Sequence, residues 1–272
     1  MKIALFGGLY SNYLALQAAI SDARICEVDA MYCLGDLGAF GPHPDRVFPI
    51  LAEHDVLCVQ GNYDDSIGNE LDDCQCGYTD PRDNLFAQVS YDYTLKNTSD
   101  TNKAFLRTLP KQIWLQIDGL KILLCHGSPR RTNEFLWESN TSTAFLNRLA
   151  DEHNADVIVG THSGIHWQRE LNNGRLYANI GVLGRPENDG TTGVWYAILK
   201  TGIDATNSPL PRNHPKPACF VEFRSVVYDH ARLAAEMQEE NLPIEFIQTV
   251  LTGWWTTCLE ILPSRERRMG KF

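Results

Sequence analysis

Four short loops of this chain carry polar side chains suited to binding a metal ion, and each loop follows a short apolar run. The loops are Gly35-Asp36-Leu37, Gly61-Asn62-Tyr63-Asp64, Cys125-His126-Gly127 and Thr161-His162-Ser163-Gly164. The preceding runs, residues 31–34, 56–59, 122–125 and 157–159, are rich in β-branched and bulky residues and too short for independent helices. We therefore predict buried strands of an α/β sheet, with the four loops at its carboxyl edge, where such folds bind ligands.

Asp36, Asn62, His126 and His162 are the candidate metal ligands in these loops. Carboxylate, amide oxygen and neutral imidazole together suit a divalent transition ion such as Fe, Mn or Zn, with positions left open for water or substrate. Each residue alone has an ordinary explanation, since an Asp after Gly often caps a turn and a buried His often has its hydrogen bonds satisfied. The four residues together, in this order, favour a metal site.

Length and charge limit the class of protein. A chain of 272 residues with 43% hydrophobic content can bury one large core. A net charge of −10 argues against nucleic acid as a partner, whereas a small anionic substrate remains compatible with a local metal and a few arginines. No apolar stretch reaches the roughly 18 residues of a membrane helix, and Met1-Lys2 leads directly into a strand pattern. We therefore expect a cytoplasmic enzyme with no membrane partner.

The remaining pattern alternates helices with strands. We predict helices over residues 44–53, 81–91, 99–109, 139–153 and 229–239 and another from residue 244, a hairpin over 112–124, and strands over 175–180, 193–199 and 220–226. Asp118-Gly119 provides the hairpin turn. The polar stretch 69–98 is long enough to be an inserted cap, and the Pro and Asn content of residues 201–217 indicates a linker.

The order of these motifs resembles that of the calcineurin-like metallophosphoesterases, and the resemblance covers most of the first 200 residues. It implies an α/β (α+β) sandwich in which two packed mixed sheets are flanked by helices in four layers. Residues 1–200 would form the metallophosphoesterase-like domain, with its cap at about 69–98. Residues 201–272 would add a linker, a strand and a helical extension packed on the same domain.

A narrower resemblance is to a subgroup described as diadenosine-tetraphosphatase-like or serine/threonine phosphatase-like. Four further segments carry it, namely Gly38-Ala39-Phe40-Gly41-Pro42-His43-Pro44, Cys76-Gly77-Tyr78, Ser128-Pro129-Arg130-Arg131-Thr132-Asn133-Glu134 and Asn179-Ile180-Gly181-Val182-Leu183-Gly184-Arg185-Pro186. In that subgroup a Tyr commonly follows the metal-ligand Asn, as Tyr63 does here, and the block of His162 ends in Gly, as at Gly164.

The first motif of the family is degenerate in this chain. Where the family has Asp-x-His-Gly-Asn, this sequence reads Gly8-Leu9-Tyr10-Ser11-Asn12. The resemblance therefore implies that the first metal site is lost while the second site, Asp36 with the amide and imidazole ligands, is retained. We expect one ion per chain, with a weakly bound second ion at Asp36 as the alternative.

Two tyrosines and three arginines complete the candidate site. Tyr10, at the lost first-metal position, would ligate iron as phenolate, donate a hydrogen bond to a substrate oxyanion, or only fill the vacated space. Tyr63 stands where many family members carry the catalytic acid, although a phenol with a pKa of about 10 is a poor acid. Arg130, Arg131 and Arg185 are candidates for binding the substrate anion, with surface ion pairing as the alternative, and Arg130 would also steady the substrate during reaction.

Three functions are consistent with these residues. The first is a metal-dependent hydrolase acting on a small phosphate ester or other anionic substrate. The second is a mononuclear metal enzyme of non-phosphatase chemistry that uses Tyr10. The third is a non-catalytic descendant that binds a ligand or partner.

Cysteines and the C-terminal segment carry further expectations. Cys33, Cys58 and Cys125 fall in predicted strands and should pack as small apolar residues. Cys74 and Cys76 lie in a polar loop, for which a redox role or additional metal binding stays open beside simple loop ordering. The aromatic residues 253–263 would dock on the domain, cover the site as a lid, or form a homodimer contact.

Overall fold

Residues 1–203 and 218–268, which the computed structural model describes, form two five-stranded mixed sheets. The strands, in chain order, are β1 (Lys2–Phe6), β2 (Ala30–Cys33), β3 (Leu57–Cys58), β4 (Gln112–Ile117), β5 (Leu120–Cys125), β6 (Val157–Gly160), β7 (His166–Glu170), β8 (Leu176–Ile180), β9 (Val194–Ile203) and β10 (Ala218–Val226). The first sheet has the order β10-β9-β1-β2-β3 and the second β4-β5-β6-β8-β7. In the first sheet β1, β2 and β3 run parallel, and in the second sheet β5, β6 and β8 run parallel. The other pairings are antiparallel.

Helices flank the sheets. They are α1 (Tyr13–Ile25), α2 (Val47–Glu53), α3 (Asn62–Asn69), α4 (Pro81–Asn97), α5 (Asp100–Thr108), α6 (Thr143–Glu152), α7 (His230–Glu239), α8 (Ile244–Thr252) and α9 (Ser264–Arg268), with short 3₁₀ turns at Pro44–Arg46 and Asn172–Gly174. Polar side chains cap several of them: the Asn12 side chain accepts a hydrogen bond from the backbone at the start of α1, and the Asp80 side chain does the same for α4.

Alternation along the strands assigns the two faces of each sheet. In β1, Ile3 and Leu5 belong to the core between the sheets, whereas Phe6 packs with α1 on the outer face. In β5, Leu124 faces the inner core and Leu123 packs against α6. Because the central strands are buried on both faces, their sequences are continuous apolar runs rather than alternating ones. The predicted α/β sandwich of two packed mixed sheets flanked by helices is confirmed.

The predicted hairpin at residues 112–124 is present as β4 and β5, and the predicted burial of Cys33, Cys58 and Cys125 is confirmed. Several elements differ from the sequence prediction. Helix α4 extends beyond the predicted residue 91 to Asn97, and α6 begins later than residue 139 because the hydroxyl of Ser142 accepts the backbone N–H of Phe145. Helix α3 and strand β7 were not predicted.

The C-terminal residues complete the first sheet and reach the second. Strand β10 pairs with β9, which continues to Ile203, so the predicted linker lies outside the described residues from position 204 to 217. Beyond α8, the backbone N–H of Ile261 donates to the carboxylate of Asp83 on α4, and Glu266 accepts hydrogen bonds from Ser139. In the described ranges, every helix is too short or too polar to cross a membrane.

Candidate metal centre

The carboxyl ends of the central strands bring three candidate ligands together. Asp36 follows β2, His126 follows β5 and His162 follows β6. One potential ligand atom of each lies within 4.8 Å of the other two, and all three side chains are buried. The strand ends of the two sheets also meet here, because Gly8 after β1 forms a parallel bridge with Val182 after β8. The sequence prediction that separate strand ends converge on one site therefore matches the geometry for Asp36, His126 and His162.

The imidazole of His126 is held in one orientation. Its Nδ1 lies 2.6 Å from the carbonyl oxygen of Leu34, to which it donates a hydrogen bond. Its Nε2 consequently faces the cluster, at 3.3 Å from a carboxylate oxygen of Asp36 and 3.2 Å from Nδ1 of His162. A backbone carbonyl that fixes one imidazole nitrogen and directs the other inward is the usual arrangement around a metal-binding histidine.

Two buried atoms of the candidate ligands have no hydrogen-bond partner among the described residues: Oδ1 of Asn62 and Nε2 of His162. The Asn62 amide is oriented by its nitrogen, which donates to the carbonyl of Cys74 at 2.8 Å and approaches the sulfur of Cys76 at 3.4 Å. An orphaned carbonyl oxygen and imidazole nitrogen are costly in a protein interior. Because both are good ligands for a divalent transition ion, the side chains present fit a bound metal.

The charges of the cluster also favour a cation. Burial opposes ionisation of Asp36, but the neighbouring His126 outweighs it and holds the pKa of the carboxyl below its ordinary value. Burial works against protonation of His126 while Asp36 favours it, and the net result raises the pKa of His126. Burial, assisted by the charge of His126, lowers the pKa of His162 to about 3, so this imidazole is neutral, as a metal ligand must be.

Asp64 organises the loops around the cluster. Its carboxylate accepts backbone N–H groups of Asp36, Leu37 and Gly61 at 2.8, 2.9 and 2.8 Å. Gly61 itself is required by close approach, because a Cβ there would stand 2.2 Å from Oδ1 of Asp36. Burial, followed by the charge of Asp36, raises the pKa of Asp64 to about 6. Asp64 belongs to the segment Gly61-Asn62-Tyr63-Asp64, which the sequence analysis singled out only for the metal ligand Asn62. The sequence did not predict that Asp64 accepts the backbone N–H groups of these loops.

Replacing Asp64 by Ala should destabilise the fold by roughly 3 kcal/mol or more, because three buried N–H groups would lose their acceptor at about 1–3 kcal/mol each. Urea unfolding measures the change. Asp65→Ala is the matched control, since among the described residues the Asp65 carboxylate accepts a hydrogen bond only from the exposed Asn69 side chain. Equal losses of stability in the two variants would contradict the assigned role of Asp64.

Tyr10 stands beside the cluster in a left-handed backbone conformation, with φ of 50°. Its backbone N–H donates to the carbonyl of Asp36 at 3.1 Å, and its ring lies near Phe40. A Cβ at Gly8 would be 2.8 Å from Cε1 of the Tyr10 ring, so this ring covers the space that a side chain at position 8 would enter. Burial, followed by the charge of Asp36, raises the pKa of Tyr10 above its ordinary value.

Tyr63 is tied to helix α4. Its hydroxyl donates to the Ser90 hydroxyl at 3.1 Å and lies 3.3 Å from the carbonyl of Ala87, while its backbone N–H donates to Asp36 at 3.1 Å. Burial raises the pKa of Tyr63 above its ordinary value. In this structure the phenol proton is engaged within the protein, and the catalytic role given to Tyr63 stays a prediction.

The three candidate arginines have different surroundings. Arg130 is half-exposed, pairs with Glu134 and lies over the ring of Phe145 at 4.8 Å. Arg131 is exposed and lines an opening of about 260 Å³ together with Asn62. Arg185 is only 6% exposed, and its guanidinium carbon is 3.7 Å from the ring centre of Trp255. Their roles in substrate binding stay predictions.

Cys74 and Cys76, for which the sequence left a redox role or metal binding open, form a disulfide with each other. Both residues are buried, and the loop is joined to Asn62 through the amide contacts described above.

The aromatic C-terminal segment docks on its own chain: Trp255 is 3% exposed, and its indole N–H donates to the carbonyl of Pro186 at 2.7 Å. A homodimer contact through this segment stays a prediction.

Comparison with known proteins decides the family. The domain described as the calcineurin-like phosphoesterase superfamily domain matches residues 1–202. The chain belongs to the calcineurin-like phosphoesterase superfamily. An uncharacterised relative from Methanocaldococcus jannaschii is 27% identical over 213 residues, which cover 72% of this chain and 82% of the relative.

Solved structures share the calcineurin-like fold. A hypothetical protein from Pyrococcus horikoshii superposes with a TM-score of 0.73 at 19% identity, covering 94% of this chain and 99% of that one. A metallophosphoesterase from Sphaerobacter thermophilus gives a TM-score of 0.66 at 22% identity, with coverage of 93% and 99%. Proteins of this superfamily generally use divalent metals, in agreement with the buried cluster of Asp36, His126 and His162.

Proposed function

We propose that the chain is a hydrolase of small anionic phosphate esters that works with one divalent transition-metal ion. Asp36, Asn62, His126 and His162 would hold the ion. The observation that carries the proposal is the pair of buried unpartnered atoms, Oδ1 of Asn62 and Nε2 of His162, together with the contact between the oriented imidazole of His126 and the carboxylate of Asp36.

A bound ion of this kind would lower the pKa of water and polarise a phosphoryl oxygen. The protein groups have supporting tasks: the hydrogen bond from His126 to Leu34 fixes the ring, and the contacts of the Asn62 amide with Cys74 fix its carbonyl oxygen. The opening next to Asn62 would give access, and the guanidinium of Arg131 on its wall would attract the substrate anion.

Loss of the first family motif argues for one ion rather than two. Gly8 offers no side chain, and the Tyr10 ring covers the space in front of it. Asp36 is then the sole family ligand remaining for a first ion, which supports weak binding of a second metal at most.

A panel of aryl phosphates, phosphodiesters and dinucleoside polyphosphates tests the proposal, with chelated protein reloaded with Mn²⁺, Fe²⁺ or Zn²⁺. We expect hydrolysis of at least one class that depends on added metal and stops with chelator. Hydrolysis that is unaffected by chelator would contradict the proposal. Absence of hydrolysis with every metal and substrate would favour a non-catalytic descendant.

A second candidate is a mononuclear enzyme of other chemistry that uses the phenol of Tyr10. The observation in its favour is that Tyr10 lines a pocket, and that its hydroxyl has no hydrogen-bond partner in the described part of the chain. A phenol there would donate to a substrate oxyanion, or would ligate iron as phenolate.

Tyr10→Phe separates a chemical role from space filling. A hydrogen-bonding role predicts a fall in turnover of about 100-fold with little change in stability. Space filling predicts a silent Tyr10→Phe and a loss of roughly 3 kcal/mol in the free energy of unfolding for Tyr10→Ala. Iron-loaded protein adds a spectroscopic test, because a phenolate ligand gives a visible charge-transfer band that Tyr10→Phe would remove. Unchanged turnover and spectrum would contradict a chemical role.

A further inference from the structure

A small pocket of about 40 Å³ lies where the loop of Tyr10, helix α4 and the C-terminal segment meet. Its walls combine aromatic rings, among them Tyr10, Phe40 and Phe86, with a few polar groups that include Arg185. Arg185 is the sole ionised side chain among these lining residues. The pocket is therefore a mostly apolar space with one fixed positive charge.

The guanidinium of Arg185 has no carboxylate partner in the described ranges 1–203 and 218–268, and its Nε is buried without an acceptor. Aromatic rings surround it instead: its central carbon is 3.7 Å from the ring centre of Trp255, 5.6 Å from that of Phe40 and 5.9 Å from that of Tyr10. A buried charge without a counter-ion is costly unless a ligand supplies one. Cation–π contacts offset only part of that cost.

Fixed neighbours hold the guanidinium in place. The Trp255 ring is anchored by its N–H to the carbonyl of Pro186, and its backbone N–H donates to Asn188 at 2.9 Å. Gly164, two residues beyond His162, packs on the same group: a Cβ there would lie 2.9 Å from the Trp255 ring and 3.5 Å from Nη2 of Arg185. The ring covers a face of the guanidinium and leaves its in-plane N–H donors available, which is how Arg binds carboxylate or phosphate oxygens.

We infer that the Arg185 pocket binds an oxyanion group that carries one negative charge, a carboxylate or a phosphoryl group. Its volume equals about three water-sized spheres at about 10–15 Å³ each, which suits the head of an oxyanion rather than a bulky body. A second charge would be buried without a partner, so singly charged groups are favoured. The oxyanion is either part of the substrate, an assignment that rests on the proposed function, or a free anion that binds beside it.

Anion binding to protein from which a chelator has removed the metal tests whether the Arg185 pocket binds an oxyanion. Acetate and dimethyl phosphate, with one charge, and sulfate, with two, are titrated at constant ionic strength while tryptophan fluorescence and the melting temperature are recorded. We expect the singly charged anions to bind at least about 10-fold more tightly than sulfate. Arg185→Gln should weaken their binding by roughly 10- to 100-fold, on the scale of one charge-assisted contact.

Arg82→Gln is the matched control, because Arg82 is exposed and its guanidinium lies over the outer pocket residue Phe86 at 5.1 Å without lining the pocket. It should bind anions as the native protein does. Arg185→Lys keeps the charge but loses the planar fork, and we expect an intermediate affinity. Native-like binding by Arg185→Gln, equal weakening by Arg82→Gln, or a preference for sulfate would overturn the inference.

Steady-state kinetics of the metal-loaded enzyme then identify the source of the oxyanion. Competition by acetate that raises KM with kcat unchanged in the native enzyme, and that disappears in Arg185→Gln, identifies the substrate's own anionic group as the occupant. An effect on kcat alone identifies a free anion. If the native protein binds the anions but hydrolyses no substrate, the proposed function is contradicted and the anion pocket is supported. If it hydrolyses a substrate but binds no anion, only the anion pocket is contradicted.

Discussion

His126→Ala is expected to remove the bound ion and to lower turnover by at least about 1000-fold, because metal catalysis contributes several kcal/mol and each 1.4 kcal/mol is a factor of ten. The ring of His126 is the one that contacts both Asp36 and His162 while anchored to Leu34. Metal content by elemental analysis and turnover with the best substrate of the panel measure the two effects.

His54→Ala is the matched control for this variant. His54 lies at the end of α2 and pairs with Arg24 in an exposed contact, so its removal should leave metal content and turnover unchanged. Urea unfolding of chelated native and His126→Ala protein separates loss of the ligand from loss of the fold. Full metal content in a folded His126→Ala protein would contradict the ligand set.

The double variant Gly8→Asp with Tyr10→His is expected to bind a second ion and to raise hydrolysis of an aryl phosphate by about 100-fold. It introduces the Asp and His that the resemblance to the family would place in the first motif, and a second metal ion would help to neutralise phosphate charge in the transition state. Metal titration and turnover with an aryl phosphate are the measurements.

Gly8→Asp alone is the informative control for the double variant. Its new Cβ would approach the Tyr10 ring to 2.8 Å, so the single change should destabilise the protein without creating a second metal site. The smaller imidazole in the double variant relieves that contact. Rapid hydrolysis of aryl phosphate by the native chain with one ion would show that the first motif is dispensable. It would contradict the expectation that a second ion is needed for fast hydrolysis.

The sandwich was predictable from sequence where the chain carries strong local patterns. The central strands are apolar on both faces, and the hairpin has its own turn at Asp118-Gly119, so length and composition identify them. Strand β7 is an edge strand whose sequence, His166 to Glu170, has no apolar run. Helix α3 is rich in Asn, Asp and Gly, which have low helix propensity, and tertiary contacts such as those of Asp64 stabilise it instead.

The sequence predicted which residues belong to the candidate site better than it predicted the packing around them. Residue type and order identified Asp36, His126 and His162 because strand ends must converge at a sheet edge. Arginine alone carries no such constraint, so sequence did not distinguish the exposed pair of Arg130 with Glu134 from the buried guanidinium of Arg185. That difference depends on the docking of Trp255, a contact between segments far apart in the chain.

Elemental analysis of protein purified without added metal counts the ions that the native chain binds. The proposed ligand set for one ion, with Gly8 and Tyr10 at the other position, predicts close to one transition-metal ion per chain, and near zero for His162→Ala. Two tightly bound ions per native chain would contradict the loss of the first site. No tightly bound transition metal, even after reloading of the chelated protein, would contradict the metal centre itself.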